Sequence, residues 1–253
     1  MRITEKKYYK EYLNQIGKEI PSLIKQYNFT QNEDSSYLTK VSAVYSSNIE
    51  GNTVDLNSFM NYELNKHKFK PTKEIEEIEN LIAGYELAQK SELTENKALE
   101  VHKILSETLL IKSKRGKYRK ESVGVFDKSG LVYLAVEPEF VEKEMKLFFN
   151  DIADLLSKTL SEQEVFYHAS LIHLKFVHVH PFMAGNGRMA RLIEKWFIAQ
   201  NLGEEFWNIA SEEYYKNHQK KYYEAINIGV NFYELDYDKC LNFLKLLPNS
   251  LKK

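Results

Sequence analysis

Only one stretch of this chain carries strand character, and that confines the fold. In "RGKYRKESVGVFDKSGLVYLAVEP", Val123 and Val125, then Leu131, Val132, Tyr133 and Leu134, form β-rich alternating runs. The link between them, Asp127-Lys128-Ser129-Gly130, predicts a four-residue hairpin turn. Elsewhere the pattern is helical. Ten glycines and five prolines in 253 residues leave few breakers among many Leu, Glu and Lys. The expected class is all-α, a helical bundle with one β-hairpin.

Helix signals can be placed along the chain. "SSYLTKVSAVYSSNIEGN" has Ser35 as N-cap, apolar Leu38, Val41, Val44 and Tyr45, and Gly51 as stop. Pro71 lies near the start of a helix with Ile75, Ile78, Leu81, Ile82 and Tyr85 on one face. Thr94 opens another helix, and Ser161 with Glu164 forms a capping box. The helix after that box is largely apolar and runs into "HPFMAGNGRMAR". Gly203 stops the next helix, and Ser211 N-caps a single helix over "SEEYYKNHQKKYYEAINIG". Three regions are expected: N-terminal helices over 1–70, a core over 71–230, and a helical extension over 231–253.

Bulk properties exclude some functions. A formal net charge of −1 gives no field favouring nucleic acid or an anionic membrane. The single cysteine, Cys240, excludes an intrachain disulfide and suits a reducing compartment. The N-terminus has no apolar signal core, and no apolar run approaches the ~20 residues of a membrane span. A cytoplasmic protein is expected. The basic run from Lys114 to Lys120 reads as a solvated loop, with Lys117 and Arg119 as candidate contacts to a target.

Chemistry concentrates in "HPFMAGNGRMAR", His180 to Arg191. Pro181 disfavours an α conformation at His180, so the incoming helix ends there. Gly185, Asn186 and Gly187 suit a turn that points amide N–H groups inward. A helix starting at Asn186 or Gly187 offers an anion its free N–H groups and positive dipole end. Arg188 and Arg191, three apart, share a face and can fork onto one anion. His180 beside that anion suits a general base. His178 in the His-x-His pair, with His168 and His173, reads as a packing residue. Tyr222 and Tyr223 read as helix-packing residues.

This stretch resembles the Fic signature, H-x-F-x-[D/E]-G-N-G-R-x-x-R, at His180, Phe182, Gly185, Asn186, Gly187, Arg188 and Arg191. Ala184 replaces the acidic residue. The resemblance implies the Fic fold and transfer of AMP from ATP to a Ser, Thr or Tyr hydroxyl of a protein. His180 would be the base. Gly185, Asn186 and Gly187 would form the anion hole, Arg188 would hold the β-phosphate side and Arg191 the γ-phosphate. The hairpin, with Val123, Val125, Leu131 and Tyr133, would be a flap docking the target backbone. In similar proteins, aromatic pairs such as Tyr222 and Tyr223 flank an adenine pocket. ATP with Mg²⁺ is expected, the metal lacking a direct protein ligand because a methyl cannot coordinate it. Ser46-x-x-x-Glu50-Gly51 resembles the family's inhibitory motif, implying that Glu50 pairs with Arg191 and displaces the γ-phosphate. Removal of AMP, self-modification and self-association stay open, as do a catalytically weakened nucleotide-binding module and transfer of another phosphate-linked group.

Overall fold

The computed structural model describes residues 1–27, 29, 35–127 and 130–252. The expected four-residue turn Asp127-Lys128-Ser129-Gly130 is too long, because Asp127 and Gly130 are strand residues that pair with each other; Lys128, Ser129 and most of the break after Tyr27 lie outside the described residues. The helices run α1 Tyr9–Gln15, α2 Ile20–Gln26, α3 Ser35–Ile49, α4 Leu56–Asn65, α5 Lys73–Gln89 and α6 Glu95–Leu105. Strands β1 Gly124–Asp127 and β2 Gly130–Leu134 follow, then α7 Pro138–Leu156, α8 Glu162–Val179 and α9 Asn186–Leu202. The chain ends with α10 Ser211–Asn217, α11 Gln219–Ile226, α12 Leu241–Leu244 and α13 Leu246–Asn249. The protein is all-α with one two-stranded antiparallel sheet.

Local chemistry accounts for most helix ends. Thr72 and Thr94 N-cap α5 and α6 by accepting from the backbone N–H three residues on. Ser161 and Glu164 form the reciprocal capping box of α8. Helix α3 ends in a Schellman motif: Gly51 adopts φ +94°, Asn52 N–H donates to Ser47 O, and Gly51 N–H to Asn48 O.

Some expectations are displaced. Ser35 and Ser211 are the first helical residues rather than N-caps. Ser211 instead turns its hydroxyl to the buried Glu212 carboxylate at 3.2 Å. The single helix expected after Ser211 is two, interrupted at His218 (φ −115°, ψ 33°).

The core centres on α8 and α9, which form the most extensive helix contact in the molecule. Every α8 residue from Val165 to Val179 except Lys175 is buried, so α8 is sheathed on all sides and its sequence shows no polar stripe. Helices α1 and α2 lie on α8, and α3 packs between α5 and α10. One apolar cluster extends from Ile3 to Leu251, taking members from all three expected regions. The hairpin stands off this bundle. Its register shifts between Val125 and Phe126, which leaves Val132 without an opposite residue, and Leu134 N–H reaches Val230 O at 3.0 Å.

Candidate active site

The loop between α8 and α9 brings the motif residues together. Helix α8 stops at His180, which sits in the left-handed region (φ 51°, ψ 58°) and is the one non-glycine with positive φ among the described residues. Pro181 excludes continued helix, and the strained backbone turns the imidazole out of the helical path. Its Nδ1 faces Val177 O at 3.2 Å, which assigns the proton to Nδ1 and leaves Nε2 as a lone-pair acceptor. Burial pushes the imidazole pKa below its ordinary value, so His180 is neutral at pH 7.

Phe182 is the inward anchor of the loop. It is buried and stacks on His102 with ring centroids 3.5 Å apart and planes 6° apart. Asn186 clamps the same residue: its Oδ1 accepts from Phe182 N–H (2.9 Å) and its Nδ2 donates to Phe182 O (2.8 Å). The Asn186 side chain is thereby engaged, and it can offer an anion its backbone N–H. Gly185 caps α9 at φ +83°. By helix geometry the N–H groups of Asn186, Gly187 and Arg188 have no intrahelical acceptor.

Both arginines meet carboxylates. Arg191 is fully buried. Its Nε donates to Ser46 Oγ (2.9 Å), one terminal nitrogen to Ser46 O (2.9 Å) and Glu50 Oε1 (2.8 Å), and the other to Tyr222 Oη (3.2 Å). Burial works to raise the Glu50 pKa, but Arg191 and then Arg188 outweigh it and hold the carboxylate ionised below its ordinary range. A Cβ on Gly187 would lie 2.2 Å from Glu50 Oε1. Glycine at this position is what lets the carboxylate approach the α9 N-terminus. Arg188 donates to Glu77 Oε2 of α5 at 3.0 Å, while its buried Nε has no partner among the described residues.

Three residues that support this loop carry no motif. Arg119, expected to reach a target, is instead buried. It donates to His180 O (2.7 Å), Glu121 O (2.9 Å), Val136 O (2.5 Å) and Val179 O (3.3 Å), and its N–H reaches Pro181 O (2.9 Å). The planar guanidinium fork satisfies carbonyls that the broken helix leaves open. His102 accepts from Gly116 N–H at Nδ1 (3.0 Å), so its Nε2–H donates to Ala184 O (3.0 Å). Burial lowers its pKa to about 4, against a smaller opposing effect of the Ala184 carbonyl. Glu77 is the third. An aromatic-stacked His and a buried Arg in a basic run are ordinary residues in sequence, and nothing local marks them.

The other histidines pack as expected. His178 faces Ile226 O (2.9 Å) and Tyr237 Oη (3.1 Å), and His168 faces Ile3 O (2.7 Å). Tyr222 is buried, whereas Tyr223 is partly exposed and donates to Ile49 O at 2.9 Å. On the hairpin, Val125 and Leu131 face outward, with Phe126 most exposed at 71%. Val123 is half-buried, and its carbonyl accepts from Ala135 N–H. Tyr133 corrects the expectation of four docking residues: it is buried and donates to His178 O at 2.6 Å, tying the hairpin to α8.

The site does not supply a metal-holding carboxylate at the motif. Ala184 has no donor side chain, and its carbonyl already accepts from His102. The residues therefore fit a polyphosphate better than they fit a directly coordinated cation.

The loop thus sets Arg188, Arg191 and the His180 imidazole around the free N–H groups that open α9. Residues 92–198 match the model of the Fic/DOC family, and the chain carries a domain of that family. A curated relative, the protein adenylyltransferase Fic of Nematostella vectensis, is 36% identical over 161 residues. The match covers 59% of this chain and 35% of that protein, so the chain spans about a third of the relative's length. Three solved structures share the fold. A Fic family protein from Desulfovibrio desulfuricans G20 superposes with TM-score 0.77 at 24% identity, over 95% of this chain and 73% of that one. Fic-1 from C. elegans (residues 134–508) gives 0.70 at 19%, over 94% and 69%. A Fic-domain signalling protein from Bacteroides thetaiotaomicron gives 0.66 at 20%, over 95% and 92%.

Proposed function

We propose that this chain is a protein adenylyltransferase that moves AMP from ATP to a protein hydroxyl and is held off by its own Glu50. The observation that carries the reading is the Glu50–Arg191 pair at the α9 N-terminus, where a carboxylate stands in for an anion. A polyphosphate at the same place meets free N–H groups and two guanidinium groups. The target hydroxyl oxygen then bonds to the α-phosphorus, the bond to the bridging oxygen of the β-phosphate breaks, and pyrophosphate leaves. The hydroxyl proton passes to His180 Nε2, whose Nδ1–H is fixed by Val177 O. Arg188 and Arg191 neutralise charge on the departing phosphates. Mg²⁺ would travel with the nucleotide phosphates and neutralise further charge. The exposed face of the hairpin, with Val125, Phe126 and Leu131, docks the target chain by strand addition.

Incubation with labelled ATP and Mg²⁺ tests this. Glu50→Gly should raise label transfer to protein, and His180→Ala in that background should abolish it. Unchanged transfer in a Glu50→Gly sample that binds ATP would remove the inhibitory role. A second reading, a nucleotide-holding module without turnover, is favoured by Ala184. It predicts ATP binding with no transfer by Glu50→Gly or by Glu50→Gly/Ala184→Asp.

A further inference from the structure

Arg191 has more partners than inhibition requires. If Glu50 alone oriented the guanidinium, removing Glu50 would leave a buried arginine to rearrange. The remaining contacts say otherwise. Ser46 takes Nε and one terminal nitrogen, and Tyr222 Oη takes the other. Tyr222 in turn faces His173 Nε2 at 2.8 Å, and His173 Nδ1 faces Glu194 Oε2 at 2.9 Å. Glu194 Oε1 accepts from Tyr215 Oη at 2.8 Å. Arg191, His173, Glu194 and Tyr215 are fully buried, and Tyr222 is 1% exposed.

One order satisfies every member of this chain: Glu194 accepts from His173 Nδ1–H, and Nε2 offers its lone pair. Tyr222 then donates its O–H to Nε2, which turns a lone pair of its oxygen toward Arg191. Each bond sets the direction of the next. Tyr222, His173, Glu194 and Tyr215 come from α8, α9, α10 and α11, in the packed centre of the bundle, and only Ser46 comes from α3, the helix that leads into Glu50.

We propose that Tyr222, His173 and Glu194 are positioning residues that, with Ser46, hold Arg191 as a preformed receptor for the terminal phosphate. Glu50 occupies this receptor and does not build it. The claim about phosphate rests on the nucleotide reading above, while the preformed guanidinium does not. Departure of Glu50 frees one N–H of a terminal nitrogen whose other N–H stays on Ser46 O. The phosphate then meets an arginine that has already lost its rotamer freedom.

Nitrogen-15 arginine spectra of the nucleotide-free protein test the first part. In Glu50→Gly, the Arg191 side-chain N–H signals should stay in slow exchange with water. Adding Tyr222→Phe, which keeps the ring and removes the acceptor, should bring them into fast exchange. Fast exchange in Glu50→Gly alone would overturn the proposal without any further variant. Calorimetry in the same background tests the second part. Tyr222→Phe should weaken ATP binding about tenfold, the worth of one hydrogen bond to a charged group, and leave ADP within about twofold. Equal losses for ATP and ADP would mean that the chain merely supports the pocket, and would overturn the proposal. Failure of Glu50→Gly to bind either nucleotide counts against the nucleotide reading, and the arginine spectra decide the positioning chain independently.

Discussion

At the scale of single residues, the site is defined by what Ala184 omits and what Arg119 adds. The methyl of Ala184 leaves the loop geometry intact, because its carbonyl carries the contact to His102. Ala184→Asp in a Glu50→Gly background should therefore raise transfer on the order of tenfold to a hundredfold and strengthen Mg²⁺ dependence, by restoring charge neutralisation in the transition state. A Mg²⁺ titration of initial rates checks this, and identical curves would show that the acid is dispensable here. Arg119 illustrates a different dependence. Arg119→Lys keeps the charge but cannot fork onto four carbonyls. Leaving even one or two of these unsatisfied should cost about 2–4 kcal/mol, read as a lowered urea midpoint. The sequence showed Arg119 as one cation in a basic run. Its role depends on carbonyls of residues 136, 179 and 180, which no local pattern connects to it.

At the scale of elements, the C-terminal end of α3 sets the position of Glu50. Its carbonyls are clasped from across the bundle: Lys216 Nζ on Asn48 O (2.9 Å), with Gln219 Nε2 (2.8 Å) and Tyr223 Oη (2.9 Å) on Ile49 O. A cation and two donors at a helix C-terminus favour the negative end of the dipole and offset the placement of Glu50 there. Combined Lys216→Ala, Gln219→Ala and Tyr223→Phe should speed hydrogen exchange over residues 46–52 and raise ATP affinity toward that of Glu50→Gly. Unaltered exchange would show that the Schellman turn alone fixes the helix end. The turn was legible, because Gly51 and its spacing are local. The clasp was not, since its donors on α10 and α11 lie 168 to 174 residues from the carbonyls they reach, and Lys216 Nζ also donates to Gln219 Oε1 at 3.0 Å.

For the whole molecule, the buried histidines set an acid limit. Burial holds His102 and His178 at about 4, below the ordinary value of 6.5, so both are neutral in the folded protein. The unfolded chain takes these protons first as pH falls. Stability is therefore full above about pH 6.5 and declines between 6.5 and 4, by up to about 3 kcal/mol for each group. Urea unfolding at pH 7.0, 5.5 and 4.5 should show this decline, and His102→Asn should flatten its share. What the sequence by itself determined is the local grammar: helices and their caps at Thr94 and Ser161, the hairpin, the break at Pro181 and the glycine turn into a basic helix. These rest on backbone sterics and on neighbours within about one helical turn. Resemblance to a family signature added the pairing of Glu50 with Arg191. Only the tertiary structure decided that Arg119 and His102 brace the motif loop, that Glu77 meets Arg188 and that Tyr222 belongs to Arg191 rather than to an open base pocket. Those partners lie between 31 and 111 residues apart in the chain. Their contacts exist because helix packing brings the elements together, and a buried polar group must be satisfied by whatever the packing delivers.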